Sequence, residues 1–279
     1  MNAGCLISDA FVLESAPVFK IDKRRIAEKF GRAAKSYDAS ANLQQLVASR
    51  TRLGLPELAD NAVILDMGCG TGKETLALRN RYPENVMAGL DLSDGMLTFA
   101  QKQPALVDCK WIVGDIEELP FAEETFDLIF SSLAIQWCES LSEVLAQVYR
   151  VLKPGGWFVF STLAAGSLFE LQTAWRNVDD EIHVNSYETF ERQMHCVAAE
   201  EFQIISLHQR METLYYPAVL NLLREIKALG ANTVVGSDNQ SLLGRRTLRQ
   251  LESGYLPFQI SKGLPASYQV IYGVLCKPE

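Results

Sequence analysis

Val63-Ile64-Leu65-Asp66-Met67-Gly68-Cys69-Gly70-Thr71-Gly72 decides the fold. Val63 to Asp66 reads as a short buried strand, and Lys73-Glu74-Thr75-Leu76-Ala77-Leu78 reads as a helix start. A strand that stops at glycines and turns into a helix leaves backbone N–H groups pointing outward at the helix N-terminus. Such a turn receives a polar or anionic ligand. Glycine suits it because a Cβ would block positive φ and close ligand approach. The pattern is G-x-G-x-G. A dinucleotide fingerprint, G-x-G-x-x-G, would need a third glycine where Lys73 stands, which disfavours a nicotinamide oxidoreductase.

Outward from this stretch, strands and helices alternate. A helix is expected over 72–81, closed by Pro83, then a strand over 86–91 ending in Asp91. Ser93 reads as the N-cap of a helix over 94–103. Strands follow over 111–113 and 126–130. An apolar stripe (Leu141, Val144, Leu145, Val148, Val151, Leu152) marks a helix over 141–152. Lys153-Pro154-Gly155-Gly156 stops it, and a strand follows over 157–160. This is an α/β doubly wound pattern, with a ligand expected at the carboxyl ends of the strands. Beyond Ala164, helices are expected over 167–177, 187–201, 217–229 and 245–253. Strands are expected over 202–215 and 267–276, and a polar loop over 231–240. Upstream, 20–35 is basic and helix-like, with Gly31 breaking or ending the helix, and a second helix is expected over 40–53.

Composition narrows the function classes. The chain has 279 residues, 48% hydrophobic, with a formal net charge of −8. That suits one large domain and argues against a nucleic-acid footprint spread over the surface. No apolar run approaches the ~18–20 residues that span a bilayer. Residues 1–21 lack a basic stretch before an apolar core, so they read as a poorly ordered leader rather than a signal peptide. The six cysteines form no C-x-x-C, and none of the three histidines has zinc-ligand spacing with one, so no metal is expected. Free thiols suit a reducing, cytoplasmic setting.

The chemistry gathers at strand ends. If a nucleoside sits on the glycine loop, Asp91 faces its ribose hydroxyls. Asp115, after the third strand, is placed for an exocyclic amine such as adenine N6, with Ile116 against the ring. Asp66 orders the loop. Aspartate is common after strands as a turn former. Three of them after three successive strands, beside a glycine loop, are a much stronger signal.

The set Leu65 to Gly72, Asp91-Leu92-Ser93, Gly114-Asp115, Leu119-Pro120-Phe121, Phe126-Asp127-Leu128-Ile129 and Leu152 to Gly156 resembles the class I S-adenosylmethionine-dependent methyltransferases. The resemblance covers about 62–162. It implies a Rossmann-like seven-stranded α/β sheet with an antiparallel last strand. It also implies a cofactor site built from Asp66, Gly68, Gly70, Gly72, Asp91, Leu92, Asp115, Ile116 and Ser131. Outside the core, Ile26 to Asp38, Ser131 to Trp137, Leu229-Gly230-Ala231-Asn232 and Leu243-Gly244-Arg245-Arg246 are similar to the malonyl-acyl-carrier-protein O-methyltransferases of biotin synthesis, the BioC family. The implied organisation is a single domain over 22–279: a helical N-terminal lid (22–61), a cofactor core (62–162), and substrate-side helical cap insertions with the last two strands (163–279).

The narrower resemblance implies methyl transfer from S-adenosylmethionine to the carboxylate of malonyl-acyl carrier protein or malonyl-CoA, leaving S-adenosylhomocysteine. That carboxylate is already ionised at pH 7, so no general base is expected. Selecting it calls for a cation, and Arg245 and Arg246 are the candidates. Tyr37 is expected to close the cofactor site from the lid. Gln136 and Trp137 follow strand four, where the methyl should sit. The basic 20–35 segment, with Arg245, Arg246 and Arg249, offers a local face for an acidic carrier protein despite the acidic total. The chain is expected to act as a monomer, without nucleic acid or membrane. Two other readings stay open: a methyltransferase of another small acid or quinone-type molecule, and a non-catalytic cofactor-binding regulator. A nucleic-acid methyltransferase is further disfavoured because no Asn-Pro-Pro-aromatic run follows strand four.

Overall fold

The computed structural model describes residues 22–230 and 244–279. The leader and the polar 231–240 loop therefore lie outside the described residues. Seven strands form one sheet: β1 (Val63–Met67), β2 (Val86–Asp91), β3 (Lys110–Val113), β4 (Phe126–Ser132), β5 (Leu152–Ala164), β6 (Gln203–Tyr216) and β7 (Leu264–Cys276). Their order is β3-β2-β1-β4-β5-β7-β6. The first five run parallel, and β7 lies antiparallel between β5 and β6. The strand order reverses between β1 and β4, the place where open α/β sheets bind ligands.

The central strands are apolar because helices cover both faces. Ile64, Leu65, Leu128, Ile129 and Phe130 are completely buried. The helices between strands are α3 (Lys73–Arg81), α4 (Asp94–Ala100) and α5 (Leu141–Val151). Ser140 caps α5 by accepting from the Glu143 N–H, and Val144, Leu145, Val148 and Val151 press its apolar stripe onto the sheet. Helices α6 (Phe169–Trp175), α7 (Phe190–Ala199), α8 (Val219–Ala228) and α9 (Arg245–Tyr255) belong to the second half. Trp175, Leu222, Leu251 and Tyr255 join a separate apolar cluster against β7 there.

Two expectations are corrected. Gly31 does not end the first helix: α1 runs unbroken over Lys23–Ser40, and α2 (Asn42–Thr51) follows a break at Ala41. Gly31 is a contact residue. A Cβ there would stand 2.9 Å from Ser93 Oγ, and one on Gly95 would stand 2.7 Å from the Gly31 Cα. Two glycines let α1 and α4 touch backbone to backbone. Likewise, the strand expected from 157 starts earlier, so Lys153-Pro154-Gly155-Gly156 lies inside it. Leu152 already has extended geometry, and β5 starts there, opposite Phe126. The Gly155 N–H donates to the Lys277 carbonyl at 2.8 Å, carrying the β5–β7 pairing to the sheet's end.

Candidate active site

The glycine loop is stitched to β2. The N–H groups of Gly68 and Cys69 donate to the Leu90 carbonyl at 2.8 and 3.0 Å. Gly68 sits at φ 78°, and a Cβ there would strike the Ala134 Cβ at 2.3 Å, so only glycine fits. Asp91 then clamps two turns: Oδ2 accepts from the Gly70 N–H (2.9 Å) and Oδ1 from the Ser93 N–H (2.8 Å). Burial raises its pKa, and those two N–H groups oppose the rise.

Beneath the loop, Asp66 is 2% exposed and its Oδ2 accepts from Thr75 Oγ1 at 2.6 Å. Burial outweighs that hydrogen bond and pushes Asp66 up to about 7. That bond ties the end of β1 to α3 beneath the loop, and Asp66 does not line the cavity. Cys69 is buried and its thiol is pushed well up, by burial first and then by Asp91 and Asp66.

The cavity at the carboxyl ends of β1, β2 and β4 has a volume of about 110 Å³ and opens to solvent. Gly68, Gly70, Asp91, Leu92, Asp115 and Ile116 line it, together with Tyr37 and Trp137. Gly72, Ser131 and Gln136 do not. Gly72 caps α3 at φ 78° and faces Ala100 and Trp111. Ser131 points the other way along β4, its Oγ donating to the Met67 carbonyl at 2.8 Å. Its neighbour Ser132 lines the cavity instead, with Oγ 3.2 Å from Ser161 Oγ. Successive strand side chains alternate in direction, so one residue decides which serine faces the ligand. Leu133, at φ 50°, then turns the chain across the cavity mouth. Gln136 supports that turn, donating Nε2 to the Leu133 carbonyl at 2.6 Å. Arg245 and Arg246 stand exposed at the start of α9, outside the lining.

The fourth wall is α1. Ile26, Ala27, Phe30 and Tyr37 face inward, and Phe30 meets Tyr37 and Trp137 edge to face at 6.1 and 5.4 Å. Three polar ties hold this helix down. Lys23 Nζ bridges Asp115 (2.5 Å) and Glu117. Ser93 Oγ donates to the Ala27 carbonyl (2.8 Å), and Thr71 Oγ1 donates to Asp38 Oδ1 (2.8 Å). Burial opposes the charge on Lys23, but the two carboxylates outweigh it and hold its pKa above the ordinary value. Burial first, then Asp91 and Asp38, raises the Tyr37 hydroxyl. Lys23, Phe30, Asp38 and Ser132 were not singled out from sequence. Phe30 and Asp38 lie inside the flagged 26–38 segment, and Ser132 inside the flagged 131–137 segment. Lys23 belongs to the basic 20–35 segment read as a face for the carrier, but it pairs inward with Asp115 and Glu117 instead.

The donor set fits a nucleoside bearing a charged, polar tail. The loop offers backbone, Asp91 retains free lone pairs toward the cavity, Asp115 is the acceptor after β3, and Leu92, Met96 and Ile116 supply apolar contact. Among the described residues no group of His, Cys, Asp or Glu side chains could hold a metal ion. No described helix is long and apolar enough to cross a membrane.

Residues 65–160 match a family model described as a methyltransferase domain. A putative methyltransferase from Bacillus halodurans superposes with a TM-score of 0.57 at 17% identity, over 83% of this chain and 99% of that one. A geranyl diphosphate C-methyltransferase from Streptomyces coelicolor, solved with S-adenosyl-L-homocysteine, gives 0.52 at 13% identity, over 82% and 74%. These two show the fold: a class I methyltransferase sheet. Among curated relatives, the biotin biosynthesis bifunctional protein BioHC of Cellvibrio japonicus is 41% identical over 92% of this chain. The chain spans about half the length of that relative, 51%. The malonyl-[acyl-carrier protein] O-methyltransferase of Serratia marcescens is 39% identical over 91% of this chain and 96% of its own length. That of Yersinia pestis is 38% identical over 93% of both. With such identity sustained from the lid helix to the last strand, the chain belongs to the malonyl-[acyl-carrier protein] O-methyltransferase family.

Proposed function

We propose that the chain transfers a methyl group from S-adenosylmethionine to the free carboxylate of a malonyl thioester on acyl carrier protein. The methyl ester would prime pimeloyl synthesis for biotin. The observation that carries this reading is the near end-to-end match to relatives of that name, which includes the α1 wall and the α9 segment as well as the cofactor core. The fold alone would fit many acceptors.

Gly68 and Gly70 would hold the cofactor by their backbone, Asp91 its ribose, and Asp115 and Ile116 its adenine. When bound, S-adenosylmethionine supplies an electrophilic methyl on a sulfonium, and S-adenosylhomocysteine is left. The protein's own task is then alignment and drying. Phe30, Tyr37 and Trp137 build an aromatic wall on the open side. A sulfonium meeting a carboxylate loses charge on the way to the transition state, so excluding water favours the reaction. An already ionised acceptor needs no base. Tyr37 and Cys138 on the lining have raised pKa values and stay protonated near neutral pH, which suits that economy. Ser132, at the end of β4, is a hydroxyl donor on the lining. Arg245 and Arg246 would act on the carboxylate from outside the cofactor cavity. The working unit is one domain over 22–279, monomeric, cytoplasmic and metal-free.

Incubation with methyl-labelled S-adenosylmethionine and malonyl-acyl carrier protein should give a base-labile methyl ester on the carrier. Label appearing only on another small acid or a quinone would replace this acceptor.

A further inference from the structure

Charge is unevenly distributed over the fold. Helix α1 carries six basic residues against two acidic, α8 two against one, and α9 three against one. Together that is eleven against four, a net +7, in a chain whose total is −8. The rest of the chain therefore holds −15. These helices are neighbours: α1 packs on α8, and α8 on α9.

Lys23 and Arg24 of α1 meet carboxylates, and the other cations on these helices make no ion pair among the described residues. Elsewhere, Arg50, Arg52, Arg79 and Lys153 each meet a carboxylate. Arg25, Arg32 and Lys35 on α1 and Arg245, Arg246 and Arg249 on α9 make no ion pair among the described residues. The acidic residue of α8 is turned inward: Glu225 accepts from Asn42 Nδ2 (3.0 Å) and from the Tyr216 hydroxyl (3.0 Å). Burial, and then repulsion from Arg25 and Arg32, lowers the pKa of Lys29, as crowding of like charge requires. Folding gains nothing from uncompensated repulsion, so such a field is explained by a partner.

We propose that the outer face of α1, continued by α8 and α9, docks an acidic protein, the acyl carrier that presents the malonyl thioester. This rests on the methyl-transfer reading above. The inner face of α1 walls the cavity through Phe30 and Tyr37 while its outer face carries Arg25 and Arg32. One helix thus links the docked carrier to the reacting end of its arm. The field acts over about 8–10 Å at ordinary ionic strength and is screened by salt.

The test compares malonyl-acyl carrier protein with the malonyl thioester of N-acetylcysteamine, which has only its carboxylate. Raising salt from about 50 to about 300 mM should lower kcat/KM for the carrier substrate by about tenfold, and for the small thioester by less than about twofold. Arg25→Glu/Arg32→Glu should mimic high salt on the carrier substrate alone, and Arg25→Lys/Arg32→Lys should restore the rate. Lys102→Glu, an exposed charge elsewhere, should change neither. S-adenosylhomocysteine binding by calorimetry verifies that each variant is folded. Equal salt sensitivity for the two substrates, or full carrier activity in the Glu variant, overturns the docking face. Failure to methylate either thioester overturns the methyl-transfer reading instead.

Discussion

Asp66→Asn should make the protein more stable at neutral pH and remove a pH dependence. Asp66 is 2% exposed, and its pKa rises from 3.8 to about 7, chiefly through burial. Between about pH 4 and 7 the unfolded chain has released this proton while the folded protein still holds it. Stability therefore falls as pH rises through that window and levels off above 7. A shift of about three units amounts to about 4 kcal/mol. Asparagine keeps the shape and can still accept from Thr75 Oγ1, but has no charge to bury. Urea unfolding of both proteins at pH 5, 6, 7 and 8 reads the effect. The stability gap, variant over wild type, should widen by about 1.4 kcal/mol per unit between pH 5 and 7 and then stop widening. A gap that stays constant would mean that Asp66 is ionised throughout, and that burial does not control it.

Two further substitutions probe the cavity. Asp91→Asn turns one acceptor into a donor facing the Gly70 or Ser93 N–H. The expected cost is about 1–3 kcal/mol, seen as roughly a 5- to 150-fold loss of S-adenosylhomocysteine affinity by calorimetry; unchanged affinity would remove Asp91 from the site. Gly31→Val forces α1 off α4, because even a Cβ at Gly31 meets Ser93 Oγ at 2.9 Å. Overpacking of about 1–3 kcal/mol should loosen the helix, so limited proteolysis should cut within α1 and cofactor affinity should fall. Protection equal to wild type would show that the glycine contact does not seat the helix.

Much of this was legible in the chain itself. The strand ends at Asp91 and Val113 and the left-handed glycine loop fall where pattern and turn chemistry place them. What stayed hidden depends on distant partners or on parity. Gly31 reads as a breaker because Gly95, 64 residues away, gives no local signal. Lys23 reads as one more charge of the outward basic 20–35 face because Asp115 lies 92 residues on. Strand four was read to Phe130, whereas β4 continues to Ser132. The alternation beyond that point decides that Ser132, not Ser131, meets the cavity. Arg245 and Arg246 begin a helix as expected, but helical spacing alone does not say which neighbour a helix end faces.

Because α1 is a cavity wall, ligand exchange is a matter of timing as much as affinity. A nucleoside bound against this helix would be released more readily when the helix lifts. The Lys23 bridge, the Ser93–Ala27 bond and the Thr71–Asp38 bond tie the wall along its length and would resist that opening. Openings of this kind run on microsecond to millisecond scales and often set turnover. Residence time would then be governed by a latch remote from the reacting atoms. Inhibitors that reinforce the latch would outlast those that merely fit the cavity better.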